Sequence, residues 1–283
     1  MTAGSSLRHF ALRLILIAVL AVFIAQALFP FVWMAITAFK RDSDLYNPTN
    51  NPFLFNEPPT LEHFRLLFRE TKFPRWIVNS AWVGLATVLI TLCLALPAGY
   101  ALARLRGRFG QHLAIAVFLT YLIPPTLLFI PLSQIVSTLG LQDKTWSLVV
   151  TYPSLAVPFV SWLLMGFFRS LPTELEEAAL VDGATRFIAF WRILLPLAVP
   201  GILTAVIFTF TLAVNEFIYA LTFVSISDLK TVSVGVPTDL IRGDVFFWGA
   251  IMASALVVSL PVALLYNAFL DRFVQGLTAG ALR

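Results

Sequence analysis

Acidic side chains are concentrated in one amphipathic stretch, residues 172–200, which lies between two long apolar segments. Glu174, Glu176 and Glu177 form an acidic flank beside an apolar stripe that contains two adjacent alanines. Because alanine is small, another protein surface could approach this stripe closely, and the pattern favours binding to a partner. It does not favour catalysis, since the sequence places no Ser/His/Asp set and no carboxylate pair where a reaction would need one.

The local sequence predicts that this stretch forms a helical hairpin. Thr173, followed three residues later by Glu176, resembles a capping box, which predicts a helix from Glu174. Gly183 can adopt the positive φ that ends such a helix and reverses the chain. A second helix is then expected over residues 184–192.

The spacing within the hairpin resembles the EAA loop of ABC importer permeases. The fixed positions of that pattern are filled by Glu177, Ala178, Ala179, Gly183, Ile193, Leu195 and Pro196. Because seven fixed positions over about twenty residues rarely match by chance, the EAA loop is favoured over an ordinary polar hairpin between membrane segments. In that family the loop forms a coupling helix that fits a groove on a cytoplasmic ATPase. The resemblance implies ATPase contacts at Glu174, Glu176, Glu177, Ala178, Ala179, Asp182, Gly183 and Ala184.

Composition independently places the chain in a membrane. Of its 283 residues, 59% are hydrophobic and 12% are charged, which is too little charge to cover a soluble globule of this length. Aromatic and basic residues do not interleave in patches, so no nucleic-acid partner is predicted. Cys93 is the only cysteine and the three histidines are far apart in sequence, which predicts neither an internal disulfide nor a metal site.

Uncharged apolar segments predict six transmembrane helices, because a helix needs about twenty residues to cross the hydrocarbon core. The predicted spans are residues 14–39, 76–103, 113–136, 146–168, 193–221 and 248–270. The expected fold class is an all-α membrane protein with six transmembrane helices and a cytoplasmic coupling-helix hairpin. The resemblance implies one permease domain over residues 1–283, with the coupling loop at residues 169–192.

The first span and a short basic loop determine the expected topology. Ala-Gln-Ala at residues 25–27 resembles a signal-peptidase site, but the apolar stretch continues past it, so an uncleaved anchor is expected. Arg104, Arg106 and Arg108 lie in the short connection between spans two and three, which is therefore expected to be cytoplasmic. Six spans would then place the hairpin and both termini in the cytoplasm of a bacterial cell, with the chain in the inner membrane.

Glu216 is the one acidic residue that interrupts a predicted span. An ionised side chain at the bilayer centre costs on the order of 3 kcal/mol, so such residues usually face a cavity or a partner. Glu216 therefore either lines a transport path or lies at the outer rim, where water reaches it. The candidate path residues are Asn215, Glu216, Phe217 and Tyr219.

Prolines also interrupt the predicted spans. Pro124, Pro125 and Pro131 lie in span three, and Pro153 and Pro158 lie in span four. A proline inside a membrane helix frees a backbone carbonyl and kinks the helix. Two interpretations stay open: these prolines shape helix packing, or they mark a path lined by broken helices.

The outer loop at residues 225–247 and the C-terminal tail resemble the maltose-type branch of the same permeases. In that branch the loop reaches into the solute-binding protein, which here implies contacts at Pro237, Leu240, Arg242 and Phe247. The tail approaches the interface of the two ATPase subunits, and its candidate contacts are Thr278, Ala279 and Gly280.

No nucleotide-binding loop of the form Gly-x-x-x-x-Gly-Lys-Ser/Thr occurs in the sequence. The chain is therefore not expected to be an enzyme or to bind a cofactor or metal, and ATP and Mg²⁺ would be bound by a separate dimer of ATPase subunits. The resemblance implies a permease subunit of a binding-protein-dependent importer of sugar or oligosaccharide. A second permease, identical or related, would complete the path, and a solute-binding protein would deliver the substrate.

The alternative function is an ion-coupled secondary transporter or channel that uses Glu216 as its ion site. It predicts transport by the purified chain alone, without an ATPase. Within the importer hypothesis, no Lys or Arg lies inside a predicted span, which favours neutral sugars over phosphate esters.

Overall fold

The computed structural model describes residues 3–105 and 107–279, with side chains for residues 10–105, 109–264 and 266–268. Within these limits the chain is nearly all helical, and it contains a small antiparallel hairpin of β1 (Ile241–Arg242) and β2 (Val245–Phe246). It divides into two compact units, residues 3–71 with 239–260 and residues 72–238 with 261–279.

Long apolar helices carry most of the structure. Among the described residues, four helices are long and apolar enough to cross a membrane: Phe10–Phe39, Phe73–Arg104, Trp146–Ser170 and Trp248–Ala268. Two further helix pairs are apolar but sharply bent, and the number of spans reaches six if each pair counts as one. The all-α membrane fold is therefore confirmed, and the division into six spans stays a prediction.

The first unit contains α1 (Ala3–Phe39), α2 (Asp42–Leu45), α3 (Glu62–Glu70), the β1–β2 hairpin and the start of α14 (Trp248–Ala279). Every side chain from residue 10 to residue 32 is exposed, and nearly all of these side chains are apolar. A continuous apolar surface of this size is typical of a helix that faces lipid or another chain.

Four prolines between α1 and α3, at positions 48, 52, 58 and 59, predict an extended segment, but this segment folds around the buried carboxylate of Asp44. The side-chain amides of Asn50 and Asn56 each donate to Asp44 Oδ1 at 2.8 Å, and the Lys40 ammonium lies 3.5 Å from the same oxygen. The backbone N–H groups of Asn56 and Glu57 donate to Oδ2. Because a buried carboxylate is costly unless it is paired and hydrogen-bonded, these contacts favour a compact loop.

The second unit is organised around two packed helices, α4 (Phe73–Arg104) and α7 (Trp146–Ser170). Gly99 permits their close approach, because a Cβ atom at this position would lie 2.9 Å from Cβ of Leu164. The two prolines of predicted span four lie inside α7, which continues through both of them. The α4–α7 pair therefore forms the framework that carries the hairpin of residues 172–192.

Predicted span three is divided into two helices, α5 (Gly107–Tyr121) and α6 (Pro125–Thr138), which meet at 85°. The bend lies at Pro124 and Pro125, which lack the N–H groups that would continue the helix. Predicted span three, residues 113–136, is therefore broken at Pro124 and Pro125, where the first helix ends and the second begins, whereas Pro131 lies inside α6.

Predicted span five is divided as well. Its first part consists of α9 (Arg186–Ala189), a π-helical turn (Phe190–Leu194) and α10 (Leu195–Leu197). This part meets α11 (Val199–Asn215) at 75°. Pro200 lies in the first turn of α11, where its missing N–H costs nothing. A second break at residues 216–217 separates α11 from α12 (Ile218–Phe223).

The predicted outer loop, residues 225–247, consists largely of regular structure. It contains a 3₁₀ turn (Ser227–Leu229), α13 (Val232–Leu240) and the β1–β2 hairpin. The remaining helix of the described residues, α8 (Glu174–Val181), forms the first arm of the helical hairpin of residues 172–192, which follows α7.

Candidate functional site

The first arm of the hairpin begins and ends where its sequence predicts. Helix α8 starts at Glu174, and Gly183 follows it with a φ of 85°. The N–H of Gly183 donates to the carbonyl of Leu180 at 3.1 Å, and the N–H of Ala184 donates to the carbonyl of Ala179 at 2.9 Å. These two bonds form a Schellman motif, which satisfies the last carbonyls of the helix and requires the left-handed residue.

The predicted capping box is wrong. Thr173 has helical backbone angles of −69° and −24°, and its side chain caps no N–H group. The second arm also starts later than predicted, because Thr185 caps α9 by accepting the N–H of Ile188 at 3.3 Å. The carboxylate of Glu176, which the capping box would use locally, is bound elsewhere.

Glu176 binds two residues at the end of α4. The Arg104 guanidinium forms an ion pair with Glu176 Oε1, and the Tyr100 hydroxyl donates to Glu176 Oε2 at 3.2 Å. Arg104 also donates to the carbonyl of Phe168 near the end of α7, at 3.1 Å. We name Tyr100, Arg104 and Glu176 the hairpin clamp.

The hairpin clamp is largely shielded from water. The side chains of Arg104 and Glu176 are only 18% and 14% exposed, so their ion pair is less screened than a surface pair. Arg169 adds a weaker tie by donating to the carbonyl of Leu102 at 3.4 Å. The clamp therefore joins α8 to α4 and α7.

The predicted ATPase contacts separate into an outer and an inner set. The exposed members are Glu174, Glu177, Ala178, Asp182 and Gly183. Ala184 is half-buried, Glu176 is half-buried within the clamp, and Ala179 is only 5% exposed. The structure therefore places Glu176 and Ala179 on the inner side of α8, where they position the hairpin.

Apolar side chains on the outer side of the hairpin are missing from the predicted contact set. Val181 is 87% exposed and Phe187 is 70% exposed, on either side of the Gly183 turn. Leu180 is 40% exposed. The signal was available in the sequence, since large apolar residues flank a polar turn. Together with the acidic residues they form an exposed surface of mixed character that suits a protein partner.

Glu216 closes the first turn of α12. Its Oε1 accepts the N–H of Tyr219 at 2.9 Å, and its Oε2 accepts the N–H of Ala220 at 3.1 Å. The Tyr152 hydroxyl of α7 donates to the same Oε2 at 2.8 Å. Both carboxylate oxygens are therefore engaged in holding α12 against α7.

The four candidate path residues are not brought together on one surface. Asn215 is exposed and its amide donates to the carbonyl of Thr211, whereas Phe217 is 41% exposed. Tyr219 is only 1% exposed, and its hydroxyl donates to the carbonyl of Pro125 at the start of α6. The contacts of Glu216 and Tyr219 indicate that these residues support the broken helices.

The predicted binding-protein contacts differ in exposure. Pro237 lies inside α13, and Leu240 is only 1% exposed, so its side chain is not available to a partner. Arg242 is exposed in β1, and its guanidinium lies 5.8 Å from the centroid of the half-buried Phe247 ring. The exposed tip is the β1–β2 hairpin, where Gly243 has a φ of 60°.

The predicted tail contacts are only partly described. Thr278 and Ala279 belong to the last turns of α14, and Gly280 lies outside the described residues. Within the part of the chain that the structure describes, no three His, Cys, Asp or Glu side chains are grouped as a metal site would need.

The profile of one protein family, described as the binding-protein-dependent transport system inner membrane component, matches residues 95–279. The chain belongs to this family. The match contains all three residues of the hairpin clamp, Tyr100, Arg104 and Glu176, as well as Glu216. The predicted resemblance to ABC importer permeases and the inner-membrane location are thereby confirmed.

Two relatives and one solved structure illustrate the match. A sulfoquinovosyl glycerol transport system permease protein of Agrobacterium fabrum is 35% identical over 283 residues, 99% of this chain and 95% of the relative. A trehalose transport system permease protein of Mycobacterium tuberculosis is 33% identical over 263 residues, 92% and 94% of the two chains. A chain of a bacterial ABC transporter involved in alginate import has the same fold, with a TM-score of 0.80, 18% identity and coverage of 96% and 99%.

Proposed function

We propose that this permease forms half of the translocation path of an ATP-driven carbohydrate importer. Two of its relatives are named for the transport of trehalose and of sulfoquinovosyl glycerol, which supports a sugar or a sugar derivative as the substrate class. The predicted spans contain no Lys or Arg that would bind a phosphate ester, which argues against phosphate esters as substrates. A second permease, identical or related, supplies the other half of the path.

The observation that carries this proposal is the hairpin clamp together with the exposed surface beyond it. Val181 and the acidic residues Glu174 and Glu177 of α8 face outward, while Glu176 ties the same helix to Arg104. An ATPase that binds this surface and closes around ATP and Mg²⁺ would pull α8, and α4 and α7 would follow. Rigid-body rotation of the attached helices then alternates access to the path.

The other partners follow from the same arrangement. The hairpin and both termini lie in the cytoplasm, with Thr278, Ala279 and Gly280 near the two ATPase subunits. The solute-binding protein contacts the exposed β1–β2 hairpin on the outer side, where Arg242 is accessible. ATP hydrolysis belongs to the partner, because this sequence contains no nucleotide-binding loop.

Purification of the tagged chain from its own host in mild detergent tests the proposal. We expect an ATPase and a second permease to copurify. Val181→Asp should lose the ATPase and retain the second permease, because a charge would enter the centre of the docking surface. Val245→Asp is the matched control, since this valine is also exposed, at 57%, but lies in β2.

Recovery of the chain alone, with uptake driven by an ion gradient and no ATP, would overturn the proposal in favour of the ion-coupled alternative. That alternative requires a free carboxylate at Glu216. Both oxygens of Glu216 already accept hydrogen bonds from Tyr152 and from the first turn of α12, and we do not propose it.

A further inference from the structure

A cavity of about 690 Å³ lies between α4 and the second arm of the hairpin. Helix α4 lines it from Leu89 to Tyr100 with mostly aliphatic side chains, and the second arm contributes Arg186, Phe187 and Trp191. Arg186 is exposed, and among the described side chains it is the only charged one that lines the cavity. The cavity is therefore an apolar trough with one cation at its hairpin end.

The guanidinium of Arg186 is available to a ligand. No carboxylate pairs with it among the side chains that the structure describes. Tyr100 also lines the trough, but its hydroxyl already donates to Glu176, so Arg186 supplies the contact to a ligand. Arginine binds phosphate oxygens through several N–H groups at once, and it is weakly hydrated, so it suits a phosphate at a membrane surface.

The length of the trough matches one leaflet of a bilayer. From Leu89 to Tyr100 an α-helix rises about 16 Å. The hydrocarbon core of a bilayer is about 30 Å thick, so each leaflet contributes about half of that. An acyl chain that starts beside the hairpin would reach the bilayer midplane near Leu89.

We propose that this trough binds an anionic phospholipid of the leaflet on the hairpin side, with its acyl chain along Leu89–Tyr100 and its phosphate at Arg186. The trough is walled on the hairpin side by the π-helical turn Phe190–Leu194, which contributes Phe190 and Trp191. Such turns are often found at functional sites.

The lipid would contact the hairpin directly, because Arg186 follows the Gly183 turn by three residues. Bound lipid therefore stabilises one position of the second arm, and anionic lipid content becomes a regulator of coupling. This proposal goes beyond the carbohydrate function and does not depend on the substrate. The other possible occupant of an apolar trough is a segment of the second permease, and the cross-linking experiment distinguishes it from a lipid.

Cys93 lines the trough and is the only cysteine of the chain, which makes it a specific attachment point for a photo-cross-linker. The intact complex is reconstituted into nanodiscs of phosphatidylcholine with and without phosphatidylglycerol, labelled at Cys93 with benzophenone maleimide and illuminated. We expect this chain to gain the mass of one phospholipid when phosphatidylglycerol is present. A cross-link to the second permease would overturn the proposal.

Two pairs of variants test the binding chemistry by native mass spectrometry of phosphatidylglycerol adducts. Arg186→Gln should weaken lipid binding about tenfold, which is the loss expected for one charged hydrogen-bonded contact. Arg192 is also exposed but does not line the trough, so Arg192→Gln should leave lipid binding unchanged. Leu92→Trp should fill the trough and abolish binding, while Leu94→Trp, an exposed leucine of α4 outside the lining, should not. Equal lipid binding in all four variants would contradict the proposal.

Discussion

Two half-buried glutamates hold this permease together in different ways. Glu176 pairs with a cation, Arg104, and with the Tyr100 hydroxyl at the hairpin end of α4. Among the described residues Glu216 pairs with no cation, and it accepts two backbone N–H groups of α12 and the Tyr152 hydroxyl. The first carboxylate joins two side chains across helices, and the second completes a broken helix and joins it to α7.

Because the two carboxylates depend on different contacts, they are expected to respond differently to substitution. The hairpin clamp depends on opposite charges, so exchanging the two charges can preserve it. The Glu216 contacts depend on acceptor oxygens aimed at fixed backbone donors, so no exchange of charges can replace them.

Glu216→Ala is expected to have the largest effect on stability. It removes the acceptors of three hydrogen bonds and leaves the N–H groups of Tyr219 and Ala220 without their partner, at a cost of about 3 kcal/mol. Glu216→Gln should cost less, because one carbonyl oxygen remains. The melting temperature of the detergent-purified chain measures both. Asn215→Ala is the matched control, since this neighbour is exposed; equal melting temperatures for the two alanine variants would contradict a structural role for Glu216.

Arg104→Met should release the hairpin while leaving the rest of the fold intact. It removes the cation of a largely shielded ion pair and a hydrogen bond to Phe168, at a cost of about 2 kcal/mol of local stability. Tryptic cleavage after Arg186 should become faster, and stimulation of the ATPase should fall.

Charge exchange sharpens this test. The double variant Arg104→Glu, Glu176→Arg should recover much of the protection from trypsin that each single variant loses, as a double-mutant cycle for a direct contact requires. Glu174→Gln, an exposed position on the same helix, is the control. No recovery in the double variant would show that the pair does not act as a clamp.

Gly183→Ala should lower stability by about 1 kcal/mol, because an alanine is strained at a φ of 85°. Gly140→Ala is the matched control: its φ is 62°, and a Cβ at either glycine meets open space. Both variants should lose similar thermal stability. Only Gly183→Ala should reduce ATPase stimulation, since only that turn orients the hairpin. Equal losses of ATPase stimulation would contradict a specific role of the hairpin.

Asp44 is expected to make the smallest contribution to stability, and its loss is detectable only at acidic pH. Burial acts to raise the pKa of this carboxyl, but hydrogen bonds from Asn56, Asn50 and the N–H of Glu57 lower it from 3.8 to about 2 overall. The ionised form therefore stabilises the folded state above pH 3.8, and this stabilisation is lost as the pH falls towards about 2. We expect the melting temperature of the wild-type chain to fall through this window.

Asp44→Asn should remove that part of the acid dependence, because the amide does not titrate. Asp244→Asn, an exposed aspartate in the turn of the β1–β2 hairpin, should leave it unchanged. Parallel curves for wild type and Asp44→Asn between pH 3.8 and about 2 would contradict the assignment.

Local chemistry explains what could be predicted from the sequence. A composition with 59% hydrophobic residues requires a bilayer, and long uncharged runs form the membrane helices. Helix α8 starts at Glu174, and the chain reverses at Gly183, because a left-handed turn residue follows a short amphipathic run. The spacing that continues to Pro196 carries the family resemblance, which the profile match confirms.

The sequence does not predict which distant residues come into contact, and these contacts are seen only in the tertiary structure. Glu176 matches a local capping box by sequence, but Arg104, 72 positions away, binds it more strongly because an ion pair between shielded charges outweighs one neutral cap. Glu216 lies 64 positions from Tyr152, and no pattern within span five indicates that this hydroxyl will face it. The burial of Ala179 and Leu240 likewise depends on which helices pack together, and periodicity within one helix does not encode that choice.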